Sequence, residues 1–161
     1  QLFNLGLSKD KLIQLSLQLG SDCPFFIENK NCFATGRGEI MSPIEVNLNN
    51  NYILLINPSI HISTAWAFKE ITPGSIRVPF KEILKEEPIK WRKALYNHFE
   101  EPVCQKFPEI KTLIDLMYQN GAEYAAMTGT GSTIYGIFKN PVQPFTSLPS
   151  HYFQFTFQVK N

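Results

Sequence analysis

Charge imbalance is nearly missing from this sequence, which sets 15 Lys and Arg against 14 Asp and Glu for a formal net charge of +1. Such a balance exerts no electrostatic pull on nucleic acid or an anionic membrane, so neither is expected as a partner. No apolar run approaches the ~18 residues a membrane-spanning helix requires, and no secretory leader is visible. Cysteine is scarce: Cys23, Cys32 and Cys104 are an odd set with neither zinc nor redox spacing. They read as small buried apolar side chains in a reducing, cytoplasmic setting. His61, His98 and His151 are scattered too, so no metal-ligand cluster can be drawn.

What is present is 161 residues, 43% of them hydrophobic, enough for one cored domain or for one domain with part of another attached. The chain begins at Gln1 rather than Met and passes almost at once into an amphipathic stretch, which reads as a piece of a longer protein. Ser8 is placed to cap a helix running through Leu19, with Leu12, Leu15 and Leu19 on one face. Gly20 suits the left-handed residue that closes such a helix, and Asp22 sits in the turn after it. Apolar residues 24–27 and 32–35, separated by Asn29-Lys30-Asn31, predict a hairpin leading to Gly36-Arg37-Gly38-Glu39. Residues 45–48 read as strand-like, and Asn49-Asn50-Asn51 as a turn and a seam between units 1–48 and 49–161.

Residues 52–56 form a short apolar run without alternation, the pattern of a centrally buried strand. Ser63 or Thr64 can cap a helix over residues 65–70, and residues 72–79 form a loop. Helices are expected over residues 80–85 and 90–105. A third opens at Pro108, carries Ile110, Leu113, Ile114 and Met117 at helical period, and stops at Asn120-Gly121. Residues 124–127 and 133–138 read as strands around Thr128-Gly129-Thr130-Gly131-Ser132, and 152–159 as a half-exposed last strand. The order gives an α+β fold: a ferredoxin-like antiparallel sheet with helices on one face, inserted after its first strand and available after its third.

Few residues carry chemistry. Turn formation accounts for Asp22 on local grounds; the functional alternative is a carboxylate held at a helix end to accept or orient a hydroxyl proton. The Gly129-x-Gly131 loop lets backbone N–H groups approach an anion, yet it is neither the dinucleotide fingerprint nor a Walker A loop, and a plain tight hairpin fits as well. Arg37 is either a surface charge on a hairpin or a guanidinium aimed at phosphate. Trp66 and Phe68 are spaced to pack in a core, or to stack on a planar base.

Three segments taken in order resemble the GHMP kinase superfamily. Leu19-Gly20-Ser21-Asp22-Cys23-Pro24-Phe25-Phe26-Ile27 with Gly36-Arg37-Gly38-Glu39 is similar to the G-[AS]-D-V-P-F-F and G-R-G-E motifs of members that phosphorylate a cytidylylated methylerythritol. Asn57-Pro58 with Ser63-Thr64-Ala65 is similar to their substrate segment. Residues 97–100 with Met127-Thr128-Gly129-Thr130-Gly131-Ser132 are similar to N-D-[LF]-E and the M-S-G-S-G-[SA] loop. Cys23, His98 and Thr128 depart from the usual Val, Asp and Ser. The resemblance implies transfer of the γ-phosphoryl of ATP, carried with Mg2+, to the 2-hydroxyl of a small-molecule substrate, 4-diphosphocytidyl-2-C-methyl-D-erythritol. It implies Asp22 as catalytic acid–base, Arg37 on the substrate diphosphate, and Thr64 and Phe68 at the cytosine. Thr128, Gly129, Thr130, Gly131 and Ser132 would shape the floor by the reacting phosphate; no protein-held metal site is implied. It also places the ATP-cradling loop and the active-site lysine before Gln1, so residues 1–48 would end a first lobe, 49–161 would form the second domain, and a homodimer stays open. Another GHMP kinase acting on homoserine, mevalonate or a sugar, and a non-catalytic ferredoxin-like binding module, remain alternatives.

Overall fold

A computed structural model describes residues 5–72 and 80–160. The loop expected over residues 72–79 therefore lies, beyond Thr72, outside the described residues. The chain divides into two compact units, Gln1–Val46 and Asn47–Asn161.

In the first unit, α1 (Lys9–Ser16) starts where its cap predicts, with Ser8 Oγ accepting from the Lys11 N–H at 3.3 Å. It stops earlier than expected. Leu17 closes it in the right-handed region, and Gly20 has no left-handed φ; its N–H returns to Ser16 O at 3.2 Å through a further turn. Residues 24–27 are not a strand but part of α2 (Cys23–Glu28). Pro24 occupies the first turn, where a missing N–H costs nothing, and Asn29 at φ 49° ends the helix with its N–H on Phe25 O. The hairpin forms one segment later. There β1 (Cys32–Thr35) pairs antiparallel with β2 (Ile40–Pro43), Thr35 opposite Ile40, so Gly36-Arg37-Gly38-Glu39 becomes its tip. Residues 45–48 form no strand.

In the second unit, β3 (Tyr52–Asn57), β4 (Tyr124–Met127), β5 (Ile134–Phe138) and β6 (Phe153–Gln158) make an antiparallel sheet in the order β4-β5-β3-β6. The apolar run without alternation is thus a central strand, paired on both sides. Between β3 and β4 come α3 (Thr64–Glu70), α4 (Phe80–Ile83), α5 (Pro88–Trp91), α6 (Glu100–Lys106) and α7 (Pro108–Gln119). Leu54, Ile56, Val103, Ile110, Leu113, Met117, Met127 and Ile134 are buried together where helices meet sheet. By strand alternation, Ile53, Tyr124 and Ile137 look the other way, where Trp91 packs edge-on against Tyr124 at 5.8 Å.

The helix expected over residues 90–105 is broken in two. Asn97 Oδ1 accepts from the Phe99 N–H at 2.9 Å, a side-chain turn that competes with helical pairing, and α6 restarts beyond it. No helix follows β5; the segment to β6 is irregular, with Val142, Phe145 and Leu148 packed against the core. Gln154 fixes the facing of β6: its carboxamide accepts from Phe145 N–H at 2.7 Å and donates to Phe145 O at 3.0 Å. The polar set of the alternation is thereby turned inward, and Phe153, Phe155 and Phe157 lie exposed in a stacked row.

Candidate functional site

In the first unit, Asp22 is the N-cap residue of α2, exposed, and its side chain makes no capping bond. Its Oδ1 accepts from Ser21 Oγ at 3.3 Å. The hairpin tip lies against it. Gly38 has φ 112°, and a Cβ there would overlap Asp22 Oδ1, so only glycine lets the tip approach the carboxylate. Glu39 organises the same tip, its Oε2 accepting from the Arg37 N–H at 2.6 Å. Backbone N–H donors hold its carboxyl below the usual carboxylate range. Arg37 points outward, its side chain 87% exposed and 3.9 Å from Glu39 Oε1. The sequence shows Asp22 and Arg37 at separate bends; the structure brings Gly38, next to Arg37, against Asp22, while the Arg37 side chain points to solvent.

In the second unit, three segments distant in sequence meet at the glycine loop. Thr64, first residue of α3, has its hydroxyl 3.3 Å from that of Thr130. Asn57 Nδ2 donates to Thr133 Oγ1 at 2.9 Å, and Asn57 Oδ1 accepts from the Ser59 N–H at 2.8 Å, joining the end of β3 to the loop. Gly131, at φ 94°, leaves no room for a Cβ between Ile62 Cδ1 and Met127 Sδ. From the third segment, Asn97 Nδ2 donates to Met127 O at 2.8 Å and to Gly129 O at 2.7 Å, and Glu100 Oε1 accepts from the Met127 N–H at 2.7 Å. Burial raises the Glu100 carboxyl above its ordinary range, opposed by that Met127 N–H.

The loop closes on itself at its base, Thr128 N–H to Thr133 O at 2.9 Å and Gly131 N–H to Thr128 O at 3.0 Å. The amides of Gly129 and Thr130 make no hydrogen bond among the described residues. Thr128 and Gly129 are exposed, while Ser132 is buried. Two unpaired amides, on exposed Gly129 and half-buried Thr130, with left-handed glycines at 129 and 131, suit an anionic oxygen.

Phe68 does not sit in the core. It is 60% exposed on α3, with its ring 5.0 Å from that of Phe99, whereas Trp66 is half-buried against Phe107. The three cysteines are free and half-buried rather than buried. Among the described residues no group of three His, Cys, Asp or Glu could hold a metal. Sequence reasoning gave no role to Asn97 or Glu100, although residues 97–100 resembled a family motif; their contacts lie 27 to 32 residues along the chain.

Residues 80–144 match the C-terminal domain of the GHMP kinases. The chain is 43% identical over 144 residues to a 4-diphosphocytidyl-2-C-methyl-D-erythritol kinase of Cytophaga hutchinsonii, a match covering 89% of this chain and 53% of that protein. It is 38% identical over 146 residues to the kinase of the same name from Bacteroides fragilis, covering 91% of this chain and 53% of the relative. A crystal structure of 4-(cytidine 5'-diphospho)-2C-methyl-D-erythritol kinase shares the fold with a TM-score of 0.71 at 24% identity, over 84% of this chain and 50% of that one. The chain thus spans about half the length of the curated relatives it matches.

Proposed function

The chain belongs to the GHMP kinases, and from that premise we propose that the whole protein transfers the γ-phosphoryl of ATP to the 2-hydroxyl of 4-diphosphocytidyl-2-C-methyl-D-erythritol. Residues 1–48 contribute the end of a first lobe and residues 49–161 the second domain. The observation that carries this reading is convergence: residues 57–64, 97–100 and 127–132, separate in sequence, are hydrogen-bonded into one loop site.

The reaction breaks the bond from Pγ to the bridging oxygen of ATP, leaving ADP, and forms a bond from Pγ to the substrate oxygen. Asp22 takes or orients the proton that the hydroxyl loses. Such a loose transition state is stabilised mainly by positioning and by charge. The unpaired Gly129 and Thr130 amides fit a phosphate oxygen, and Thr128, Gly131 and Ser132 shape the loop that presents them. Arg37, exposed and only loosely paired, suits the substrate diphosphate; Thr64 and the exposed ring of Phe68 suit the cytosine. Mg2+ carried in with ATP would supply charge neutralisation at the phosphates, and no side chain among the described residues is assigned to hold it.

A second reading, a non-catalytic binding module, is favoured by one observation, that the Asp22 carboxylate is bonded to its own turn. ADP release by the full-length protein separates these readings. Turnover with the cytidylylated methylerythritol, and none with homoserine, mevalonate or a hexose, supports the first. ADP release with homoserine, mevalonate or a hexose alone moves the chain to another GHMP kinase, and none with any acceptor supports the module.

A further inference from the structure

We propose that Asn97 and Glu100 are positioning residues that hold the backbone of residues 127–129 so that the Gly129 and Thr130 amides face a phosphate. This rests on the loop being an anion site. All the polar atoms of the Asn97 carboxamide are engaged: Oδ1 with Phe99 N–H, Nδ2 with Met127 O and Gly129 O. The bond to Gly129 O fixes the peptide plane between Gly129 and Thr130, and therefore the direction of the Thr130 N–H on that same plane. Glu100 takes the Met127 N–H from one residue before the loop. Both side chains line a groove with Tyr96, Cys104, Pro108 and Thr112, none of which belongs to the loop. Their hydrogen bonds go to main-chain atoms of residues 99, 127 and 129, so they act through the backbone.

Losing the two bonds to the carbonyls of Met127 and Gly129 should weaken anion binding about tenfold. The test uses the 161-residue chain, with inorganic pyrophosphate as probe and backbone amide resonances as readout. In the unaltered chain, pyrophosphate should shift Gly129 and Thr130. In Asn97→Ala the affinity should fall about tenfold, while the amide resonances of Leu54 and Ile137 stay close to those of the unaltered chain. Glu100→Ala should act in the same direction, and Glu100→Gln, which keeps an acceptor for Met127 N–H, should restore binding. If Asn97→Ala does not fold, the Glu100 pair decides. A folded Asn97→Ala or Glu100→Ala chain that binds pyrophosphate as tightly as the unaltered one overturns the proposal. Absence of any shift in the unaltered chain overturns the anion-site reading beneath it, and the two failures are distinguished by which protein shows them.

Discussion

The two units of this chain differ most in what they bury. Residues 47–160 enclose a core in which Leu54, Ile56, Ile110 and Met117 are fully inaccessible. Among the described residues up to Val46, only Ser16 and Pro24 are buried, while Leu19 is 85% and Phe26 76% exposed. Both units are rich in apolar residues, so composition does not separate them. The first unit carries its apolar side chains outward, on Leu12, Leu15, Phe25 and Ile40, and such faces mark surfaces made to be covered. The second unit builds its own core, whereas the first buries little among its described residues. Asp22 belongs to the first unit and the glycine loop to the second.

Truncating a core residue should show the contrast at its largest. Leu54→Ala, in the central strand, is expected to cost about 2–5 kcal/mol by urea unfolding. A loss under 1 kcal/mol would mean the second unit is not the one that carries stability. Next, Gly38→Ala forces a side chain into a left-handed backbone and onto the Asp22 carboxylate, and should cost about 1–3 kcal/mol locally. Amide exchange at the hairpin of β1 and β2 should rise while that of β3 is unchanged; equal effects in both units would break the distinction.

A smaller effect tests Glu100. Its carboxyl is raised by burial, so the protonated form is the one folding favours. That contribution is full below the unfolded carboxylate range and is lost as pH rises through the folded value. Glu100→Gln should therefore gain stability relative to the unaltered chain between acid and neutral pH, read as the difference in urea midpoints. A difference that shrinks with rising pH contradicts the assignment to burial. Smallest of all, Leu19→Ala should change stability by no more than about 0.5 kcal/mol, because the side chain it removes is already in solvent.

The same contrast explains what could be read in advance. The run at residues 52–56 and the period of Ile110, Leu113, Ile114 and Met117 were legible because each pattern is satisfied by the core it builds. Residues 24–27 were misread as a strand: a four-residue apolar run has no period of its own, and Pro24 was the better guide. The break before α6 was hidden because it depends on Asn97 meeting carbonyls 30 and 32 residues away. The glycine loop and Asp22 were visible as types of residue, and Thr64 through the family resemblance. Gly38 and Asn97 acquire meaning only from contacts across the fold.

The role proposed for Asp22 is the acid–base work of a phosphoryl transfer. ADP release by the full-length protein with ATP and 4-diphosphocytidyl-2-C-methyl-D-erythritol, with and without Asp22→Asn, tests that role. Substrate-dependent turnover is expected, with a kcat lower by at least ~10² in the variant, the scale of a lost acid–base group. An Asp22→Asn protein that keeps its kcat rules the role out.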